Sequence, residues 1–328
     1  MTIGILLEPS FENRVSLLPE HIPILKKQNI RVLAETNCGE RAFASDSLYI
    51  QQGVEISSRE NILKSSEIIL SINPLTSDDL QVVEANAVLL GIYSPLAQAP
   101  LIKSFADKNL TTFSLDMLPR TTRAQSMDVL SSQANIAGYK AVLLAAMQLP
   151  KYFPMFMTAA GSIAPAKVMI LGAGVAGLQA IATAKRLGAV VEVFDTRPAV
   201  KEEVMSLGAK FIEVEGASDA SKAGGYAVEQ TEEYKQKQRA RIAEVAARAD
   251  VIITTAQIPG QKAPILLPDS VLDTMKTGSL IIDLASVTGG NTSRTKDKET
   301  VVYKNVTIIG NSNLPATMPS DASKLYGK

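Results

Sequence analysis

Three glycines stand between two apolar runs in the segment "VMILGAGVAGLQAIATAKRLGAVVEVFD", spaced Gly172-x-Gly174-x-x-Gly177. In such a motif the first glycine permits a tight turn and the second lets the backbone approach a pyrophosphate. The third lets the following helix pack closely on the strand. The helix would also direct free N–H groups and the positive end of its dipole toward the phosphates. The spacing and its setting therefore predict a dinucleotide-binding turn, the alternative being a structural turn without a ligand.

Asp195 ends the next apolar run, at about the 20-residue distance that a ribose-binding acid has from these glycines. Its carboxylate would accept hydrogen bonds from the adenosine ribose hydroxyls. A 2′-phosphate would meet a like charge there, which favours NAD over NADP. Arg197, two residues later, keeps the NADP alternative open because its guanidinium could pair with that phosphate.

A second candidate site is the polar stretch "LPRTTRAQSMDVLSSQAN" (118–135), which contains arginines, glutamines, an aspartate and hydroxyls but neither histidine nor cysteine. Such side chains hold and orient a ligand. Two structural alternatives remain open: Asp128 as a charge at a helix N-terminus, and Ser126 as a helix N-cap.

Composition excludes several classes of protein and site. Lys+Arg and Asp+Glu both number 33, which gives no net attraction to nucleic acid or anionic lipid. The lone cysteine, Cys38, rules out an internal disulfide framework, and the lone histidine, His21, rules out a His-rich metal site. We expect Cys38 to pack or to lie in a turn, and His21 to be a solvated residue of a surface helix. The N-terminus lacks the basic segment of a signal peptide, and no apolar run is long enough to span a membrane.

The elements that must position these residues alternate between apolar runs and helical patterns in both halves of the chain. This alternation predicts an α/β fold of two Rossmann-like, doubly wound parallel-sheet domains joined by a long helix. The strand candidates are 3–7, 30–35, 67–72, 87–93 and 110–115 in the first half, and 166–174, 189–195, 209–215, 250–256, 279–285 and 306–311 in the second.

The predicted organisation has an N-terminal α/β domain over 1–127 and a linking helix and connection over 128–164. A Rossmann NAD(H)-binding domain follows over 165–311, and a C-terminal segment over 312–328 returns toward the first domain. Within the linking helix, Gly138 costs about 1 kcal/mol of helix propensity. A close contact between helices at that residue would explain it.

One segment, 216–250, interrupts the alternation. About fifteen small or polar residues precede its charged helix, whereas connections in such folds typically have about 2–6 residues. The run Gly224-Gly225-Tyr226, two hinge glycines beside one large ring, favours a lid that closes over a ligand, and a neutral insertion is the alternative. The charge run "KQKQRAR" (235–241) is interpreted as a solvated helix face, with docking on a partner as the alternative.

Longer motifs give the chain a family resemblance. "RAQSMDVLSSQANIAGYKAV", "GAGVAGLQAIATAKRLGAVVEVFDTR", "SLGAKFIEVE", "AGGYAVE", "ITTAQIPG" and "IIDLASVTGGN" together resemble the soluble NAD(H)-binding domain I of the α subunit of proton-translocating NAD(P) transhydrogenase. The resemblance extends over nearly the whole chain. It implies direct hydride transfer from NADH bound here to NADP⁺ bound on the β subunit. It also implies a homodimer, a separate membrane domain that couples transfer to proton movement, and a cytoplasmic location at the inner-membrane complex.

The resemblance also implies roles for individual residues. The pattern R-x4-Q-x2-D falls on Arg120, Gln125 and Asp128, with an associated serine at Ser131. We expect Asp128 and Ser131 to hold the nicotinamide carboxamide, Arg120 to contact the phosphate or ribose, and Gln125 to reach toward the partner's nucleotide. The lid tyrosine of the family falls on Tyr226. The remaining nucleotide contacts implied by the motifs are Gly172, Gly174, Val175, Gly177, Asp195, Thr196, Arg197, Gly225, Gln238 and Gln257.

Two other functions are alternatives to this one. An alanine dehydrogenase, from the same superfamily, resembles the chain at "ENRVSLLPE", where Arg14 would match a carboxylate-binding arginine. That enzyme needs a lysine near "IILSINP" and a histidine near "LLGIYSPLA", and this chain has neither. An NAD-sensing binding module is the second alternative, since the fold by itself does not fix the function. It would not need the polar stretch 118–135.

Overall fold

The computed structural model describes residues 1–119, 121–214, 216, 231–258 and 260–328. The described chain divides into two compact units. Unit 1 comprises Met1–Gln133 and Pro315–Lys328, and unit 2 comprises Ala134–Leu314. No helix among the described residues is long and apolar enough to cross a membrane.

Unit 1 is built on a parallel sheet whose described strands have the order β3-β2-β1-β4-β5-β6. The apolar runs of the sequence form this sheet because strands covered by helices on both faces bury side chains on both sides. Its strands are β1 (Thr2–Ile5), β2 (Arg31–Glu35), β3 (Glu55–Ser57), β4 (Ile68–Leu70), β5 (Val88–Gly91) and β6 (Thr111–Ser114). Its helices up to this point are α1 (Ile22–Lys26), α2 (Asp46–Gln51), α3 (Arg59–Ser65), α4 (Ser77–Val82) and α5 (Ala99–Asp107).

The long helix α6 (Val129–Gln148) contains the boundary between the two units, after Gln133. The close helix contact predicted at Gly138 is confirmed within unit 2. A Cβ on Gly138 would lie 2.1 Å from the Ala176 carbonyl oxygen in the first turn of α7 (Val175–Arg186).

Unit 2 has a second sheet, with the described strands in the order β11-β10-β9-β12-β13-β15-β14. All neighbours are parallel except β14 and β15. The strands of unit 2 are β7 (Phe156–Thr158), β8 (Gly161–Ile163), β9 (Lys167–Leu171), β10 (Val190–Phe194), β11 (Lys210–Phe211), β12 (Val251–Thr254), β13 (Leu280–Asp283), β14 (Thr300–Tyr303) and β15 (Val306–Gly310). Its remaining helices are α8 (Lys201–Ser206), α9 (Glu232–Ala246) and α10 (Asp269–Leu272).

The last helix, α11 (Pro319–Gly327), belongs to unit 1. Its Ser323 hydroxyl accepts a hydrogen bond from the Val15 N–H at 2.9 Å, and the Gln133 side chain donates to the Ala322 carbonyl at 3.0 Å.

The predicted α/β fold with two doubly wound sheets and a long helix is confirmed. In each sheet the order reverses beside the first strand, between β1 and β4 in unit 1 and between β9 and β12 in unit 2. Ligands of open α/β sheets bind outside the carboxyl ends of the strands at such a switch point.

Several short elements were not predicted. Strand β3 has only three residues, none of them buried, and the hairpin β7–β8 lies in the connection predicted after the linking helix. Strand β14 alternates exposed and half-buried residues and turns into β15 through Lys304 and Asn305, both with positive φ. Such a turn usually contains glycine, so the residues Lys304 and Asn305 give little indication of a hairpin in the sequence.

Candidate functional site

The glycine turn joins β9 to α7 at the carboxyl edge of the sheet of unit 2. Gly172 has a φ of +104°, a conformation that favours glycine. A Cβ on Gly177 would lie 1.9 Å from the Gly172 carbonyl oxygen, so a larger residue could not pack there. A Cβ on Gly174 would have no atom within 4 Å, so open space lies beside this residue. A phosphate-binding turn needs such an opening at its central glycine.

Helix α7 begins directly after this turn, with Gly174 as its N-cap. The first main-chain bond of the helix runs from the Leu178 N–H to the Gly174 carbonyl, at 2.8 Å. The N–H groups of residues 175–177 precede it and have no acceptor within the helix. Val175, the first helical residue, is 38% exposed. The turn therefore offers N–H donors and a positive dipole end to an anion.

Asp195 directly follows β10 and is tied to the glycine turn. Its Oδ2 accepts a hydrogen bond from the Ala173 N–H at 2.7 Å. Arg197 binds the same carboxylate through Nε at 2.9 Å and Nη2 at 2.8 Å, and these hydrogen bonds are the main reason that the pKa of Arg197 is raised. The charge of Asp195 is thus balanced within the chain, and Thr196 lies between the two partners.

A small cavity opens beside Asp195. It is lined by Asp195, Thr196, Pro198, Lys201, Phe211, Ile212, Glu213, Val214 and Tyr234. Tyr234 on α9 is 3% exposed, and burial, followed by the charge of Asp195, raises the pKa of its hydroxyl. Gln238 follows Tyr234 by about one helical turn and is half-buried.

Sequence reasoning missed this cavity because its walls come from separate segments. The one available signal was Tyr234, the only aromatic residue in the charged run "EEYKQKQRAR".

Gln257 lies in the segment that follows β12, on the other side of the switch point from β10. Its side-chain Nε2 donates to the Leu284 carbonyl at 2.8 Å, which joins this segment to the one that follows β13. Thr255 joins the same segment to the glycine turn, because its hydroxyl lies 3.2 Å from the carbonyl oxygens of Leu171 and Gly172.

In unit 1, Asp128 and Ser131 form a closed pair at the start of α6. The Asp128 carboxylate accepts from the Ser131 N–H at 2.9 Å and from the Ser131 hydroxyl at 2.6 Å. Asp128 therefore caps the helix, and the alternative that gave this role to Ser126 is wrong. Ser126 lies in the preceding 3₁₀ turn, Gln125–Met127, in which the Gln125 side chain is exposed.

Three of the predicted site residues, Arg120, Gly225 and Tyr226, lie outside the described residues. The predicted lid therefore stays a prediction.

Arg14, the residue that an alanine dehydrogenase would use for a substrate carboxylate, is held by unit 1 itself. Its guanidinium forms two hydrogen bonds with the Glu12 carboxylate, from Nε at 2.8 Å and from Nη2 at 2.6 Å. Nη1 donates to the Gln133 side-chain oxygen at 2.8 Å. All three side chains are buried. Arg14 is thus part of a buried internal network.

The switch point of unit 1 contains a carboxylate of the chain. Glu8 follows β1 and accepts hydrogen bonds from the N–H groups of Ile72 and Asn73, at 2.5 and 3.0 Å, and from the Asn73 side-chain amide at 2.9 Å. Burial is the main cause of the raised pKa of Glu8.

Neither segment that would supply an acid–base pair in an alanine dehydrogenase contains one. Residues 70–72 are Leu, Ser and Ile, and residues 92–94 are Ile, Tyr and Ser. Tyr93 is 1% exposed and packs edge-on against Phe105, with a centroid distance of 5.4 Å.

The predictions for the single cysteine and the single histidine had different outcomes. Cys38 is buried as expected, and burial raises the pKa of its thiol to about 12, which disfavours the nucleophilic thiolate. The prediction of a solvated His21 is wrong. His21 ends the 3₁₀ turn Pro19–His21, its side chain is only 12% exposed, and burial is the main cause of its lowered pKa.

Comparison with known proteins agrees with this geometry. The profile described as "Alanine dehydrogenase/PNT, N-terminal domain" matches residues 4–137, and the corresponding C-terminal domain profile matches residues 141–328. The first segment of NAD(P) transhydrogenase subunit alpha from Rickettsia prowazekii is 44% identical over 322 residues, covering 97% of this chain and 84% of that protein. The crystal structure of transhydrogenase from Sinorhizobium meliloti superposes with a TM-score of 0.89 at 39% identity, covering 100% of this chain and 91% of that one.

An alanine dehydrogenase from Staphylococcus haemolyticus is more distant. It is 24% identical over 328 residues, covering 97% of this chain and 82% of that protein. The similarity to the transhydrogenase subunit is thus considerably higher than that to the dehydrogenase over the same length of chain. The family resemblance predicted from the motifs is confirmed.

Proposed function

We propose that this chain, which belongs to the alanine dehydrogenase/PNT family, is the NAD(H)-binding component of a proton-translocating transhydrogenase. In this proposal NADH bound here passes hydride to NADP⁺ bound on a β subunit. A separate membrane domain couples the transfer to proton movement. The observation that carries the proposal is the open glycine turn beside Asp195 at the switch point of unit 2.

The residues of unit 2 fit the adenosine and pyrophosphate parts of NAD(H). The open space at Gly174 and the free N–H groups of α7 suit the pyrophosphate. Asp195 is positioned to accept from ribose hydroxyls. The cavity beside Asp195 has apolar walls, including Phe211 and Val214, that suit the adenine ring. Val175, Thr196 and Gln238 are the further contacts expected from the motifs.

The charge arrangement around Asp195 favours NAD over NADP. A 2′-phosphate would approach the carboxylate and meet a like charge. The competing cation, Arg197, holds that carboxylate through two side-chain hydrogen bonds. Its positive charge is therefore already paired with Asp195, which reduces its attraction for a phosphate.

The reaction places few chemical demands on the protein. The bound cofactors supply the chemistry, which is hydride exchange between two nicotinamides, and the protein supplies orientation and exclusion of water. No proton moves in this step, so the site needs no general acid or base. The reacting carbons must come within about 3–3.5 Å of each other, which demands accurate positioning.

We assign that positioning to the polar stretch of unit 1. Each carboxylate oxygen of Asp128 accepts one hydrogen bond from Ser131 and keeps a lone pair for the carboxamide N–H donors. Because Ser131 holds Asp128 in place, the pair would fix the rotation of the nicotinamide ring. Arg120 would contact the phosphate or ribose. Gln125, exposed in its turn, would reach the partner's nucleotide, and Tyr226, with Gly225, would close over the bound dinucleotide.

Hydride transfer with a β-subunit partner tests the proposal. The chain is mixed with a β-subunit soluble domain loaded with NADP⁺, and the mixture is expected to catalyse NADH-dependent reduction of that NADP⁺. Gln125→Asn should slow this transfer about tenfold or more, because a small displacement of a positioned group is costly. The dissociation constant for NADH, measured by fluorescence titration, should stay within about twofold, a change of less than 1 kcal/mol.

Gln28→Asn is the matched control, since Gln28 is also an exposed glutamine of unit 1. It should leave both quantities unchanged. A collapse of NADH affinity in Gln125→Asn would contradict the assignment of Gln125 to the partner's nucleotide. Alanine-dependent reduction of NAD⁺ by the chain alone, without transfer to the partner, would favour the dehydrogenase instead.

The same proposal gives the chain its partners and location: a homodimer attached peripherally to the transhydrogenase complex at the cytoplasmic face of the inner membrane. The hairpin β7–β8 favours binding of a second copy of the chain. Its strands have three residues each, and an isolated two-stranded hairpin is marginally stable in water. Met155 and Met157 are 62% and 72% exposed, and Tyr152 stacks on Phe156 at 5.1 Å. Such a cluster of exposed apolar side chains marks an interface.

A second copy of the chain fits this hairpin because two identical strand edges can pair antiparallel about a two-fold axis. Met157→Glu is therefore expected to convert the dimer to a monomer, as measured by light scattering after size exclusion. The control is the same substitution at Met205 on α8, another exposed methionine (56%), and this variant should remain dimeric. A wild-type monomer, or a dimeric Met157→Glu variant, would refute this interface.

A further inference from the structure

One fully buried residue outside the predicted site connects two of the loops that form its edge. Asn291 follows the 3₁₀ turn Ser286–Thr288 and two glycines of positive φ, Gly289 and Gly290. Its side chain is 0% exposed. The Asn291 N–H donates to the Asp283 carboxylate at the end of β13, at 2.6 Å.

The side chain of Asn291 is bound at both ends of the segment that follows β12. Its Oδ1 accepts from the Ala256 N–H at 3.1 Å, and its Nδ2 donates to the carbonyl oxygens of Ala256 and Pro264, both at 2.9 Å. The Asn291 carbonyl also accepts from the N–H groups of Leu266 and Leu267. One side chain thus fixes where this segment leaves the sheet and where it returns.

The fixed segment lies at the switch point. Thr254 of β12 pairs with Leu171 of β9, the residue before the glycine turn. Thr255, adjacent to the clamped Ala256, bonds to the glycine turn, and Gln257 bonds to Leu284. In a doubly wound sheet of this order, one mononucleotide half lies over the first three strands and the other over the strands beyond the switch point. Asp195 and the cavity proposed for adenine belong to the first half. The segment after β12 therefore faces the second mononucleotide half.

We propose that Asn291 is a positioning residue for the nicotinamide mononucleotide half of NAD(H). It acts through the backbone of Ala256 and so sets the place of Gln257. The inference rests on the proposed binding of NAD(H). It assigns to Asn291 an effect on one half of the ligand, whereas a residue that only stabilised the fold would affect both halves alike.

The test compares two probes, NADH and ADP, because ADP lacks the nicotinamide half. Asn291→Ser removes the amide and leaves buried polar groups of residues 256 and 264 unpaired. We expect calorimetric titration to show NADH binding weakened about tenfold or more, with ADP binding within about twofold of wild type. The matched control is Asp250→Asn at the opposite, amino edge of the sheet, where Asp250 binds Lys151 and Lys276. It should lower the melting temperature and leave both affinities unchanged.

A second variant covers the case in which Asn291→Ser does not fold. Asn291→Asp keeps the side-chain volume. Burial should raise the pKa of the new carboxyl group, so that near about pH 6 it is protonated and can both accept and donate a hydrogen bond. Its NADH affinity is expected to rise as the pH falls from about 8 to about 6, toward the wild-type value, while ADP affinity stays level. Wild-type NADH affinity in Asn291→Ser, or parallel loss of NADH and ADP, would overturn the inference, as would a pH-independent NADH affinity in Asn291→Asp. Failure of the wild-type chain to bind NADH would instead overturn the proposed function.

Discussion

Replacing Gly174 by valine is expected to abolish NADH binding and leave the fold intact. The backbone at Gly174 is extended, with φ −78° and ψ −169°, a conformation that valine adopts readily. A Cβ there meets no protein atom within 4 Å. The added side chain would instead fill the space proposed for the pyrophosphate. We expect NADH affinity to fall more than about 100-fold, and the melting temperature without ligand to change by less than about 2 °C.

The last glycine of the motif, Gly177, is expected to behave differently from Gly174. Gly177→Val would place its Cβ 1.9 Å from a backbone oxygen, so this variant should lose stability as well as binding. Lys185→Val in the last turn of α7 controls for a β-branched residue on the same helix and should change neither property. If Gly174→Val binds NADH normally, the glycine turn is not the phosphate site.

The second large effect is on stability. Arg14→Ala would leave the Glu12 carboxylate buried without its ion-pair partner. It would also remove the hydrogen bond that the Gln133 side-chain oxygen accepts from Arg14. Breaking a buried pair from one side costs about 3–5 kcal/mol. For a unit of this size we expect the melting temperature to fall by about 10 °C, measured by circular dichroism or scanning calorimetry.

Unit 1 contains a matched pair on its surface. Arg31 binds Glu55 through the same two guanidinium atoms, Nε at 2.9 Å and Nη2 at 2.5 Å, but both side chains are more than half exposed. Arg31→Ala should change the melting temperature by less than about 2 °C, because solvent screens exposed pairs. Equal losses in the two variants would show that burial of the Arg14 network contributes nothing. A stable Arg14→Ala variant with altered catalysis would revive a ligand-binding role for Arg14.

The sequence predicted the parallel sheets because buried strands such as β12 and β13 begin with apolar runs, and all four residues of each strand are buried. The long helix α6 (Val129–Gln148) was predicted within the linking segment 128–164 from its helical composition. The missed strands are short, exposed or alternating, and pairing with a neighbouring strand stabilises them. Local pattern does not contain that information.

The candidate site divides in the same way. The glycine turn and Asp195 could be predicted because their spacing is local. The hydrogen bonds from Arg197 to Asp195 and from Ser131 to the capping Asp128 depend on side-chain rotamers, which spacing does not determine. The cavity at Tyr234 and the side-chain hydrogen bonds of Asn291 join segments that are distant in sequence, so local spacing predicts neither, although Asn291 ends the motif "IIDLASVTGGN".

The common strand order of the two sheets has an evolutionary consequence. The parallel strands of the two units follow the same order, and unit 2 adds the antiparallel edge strand β14. The loop after the first strand nevertheless differs: unit 2 has an open glycine turn, and unit 1 has Glu8 bonded to the loop after β4. A chain built from two such halves can change the ligand chemistry of one half while the other remains a conserved framework. Substitutions that survive selection for a new cofactor should therefore accumulate around the turn after β9. The residues that contact Glu8 should remain unchanged across the same lineages.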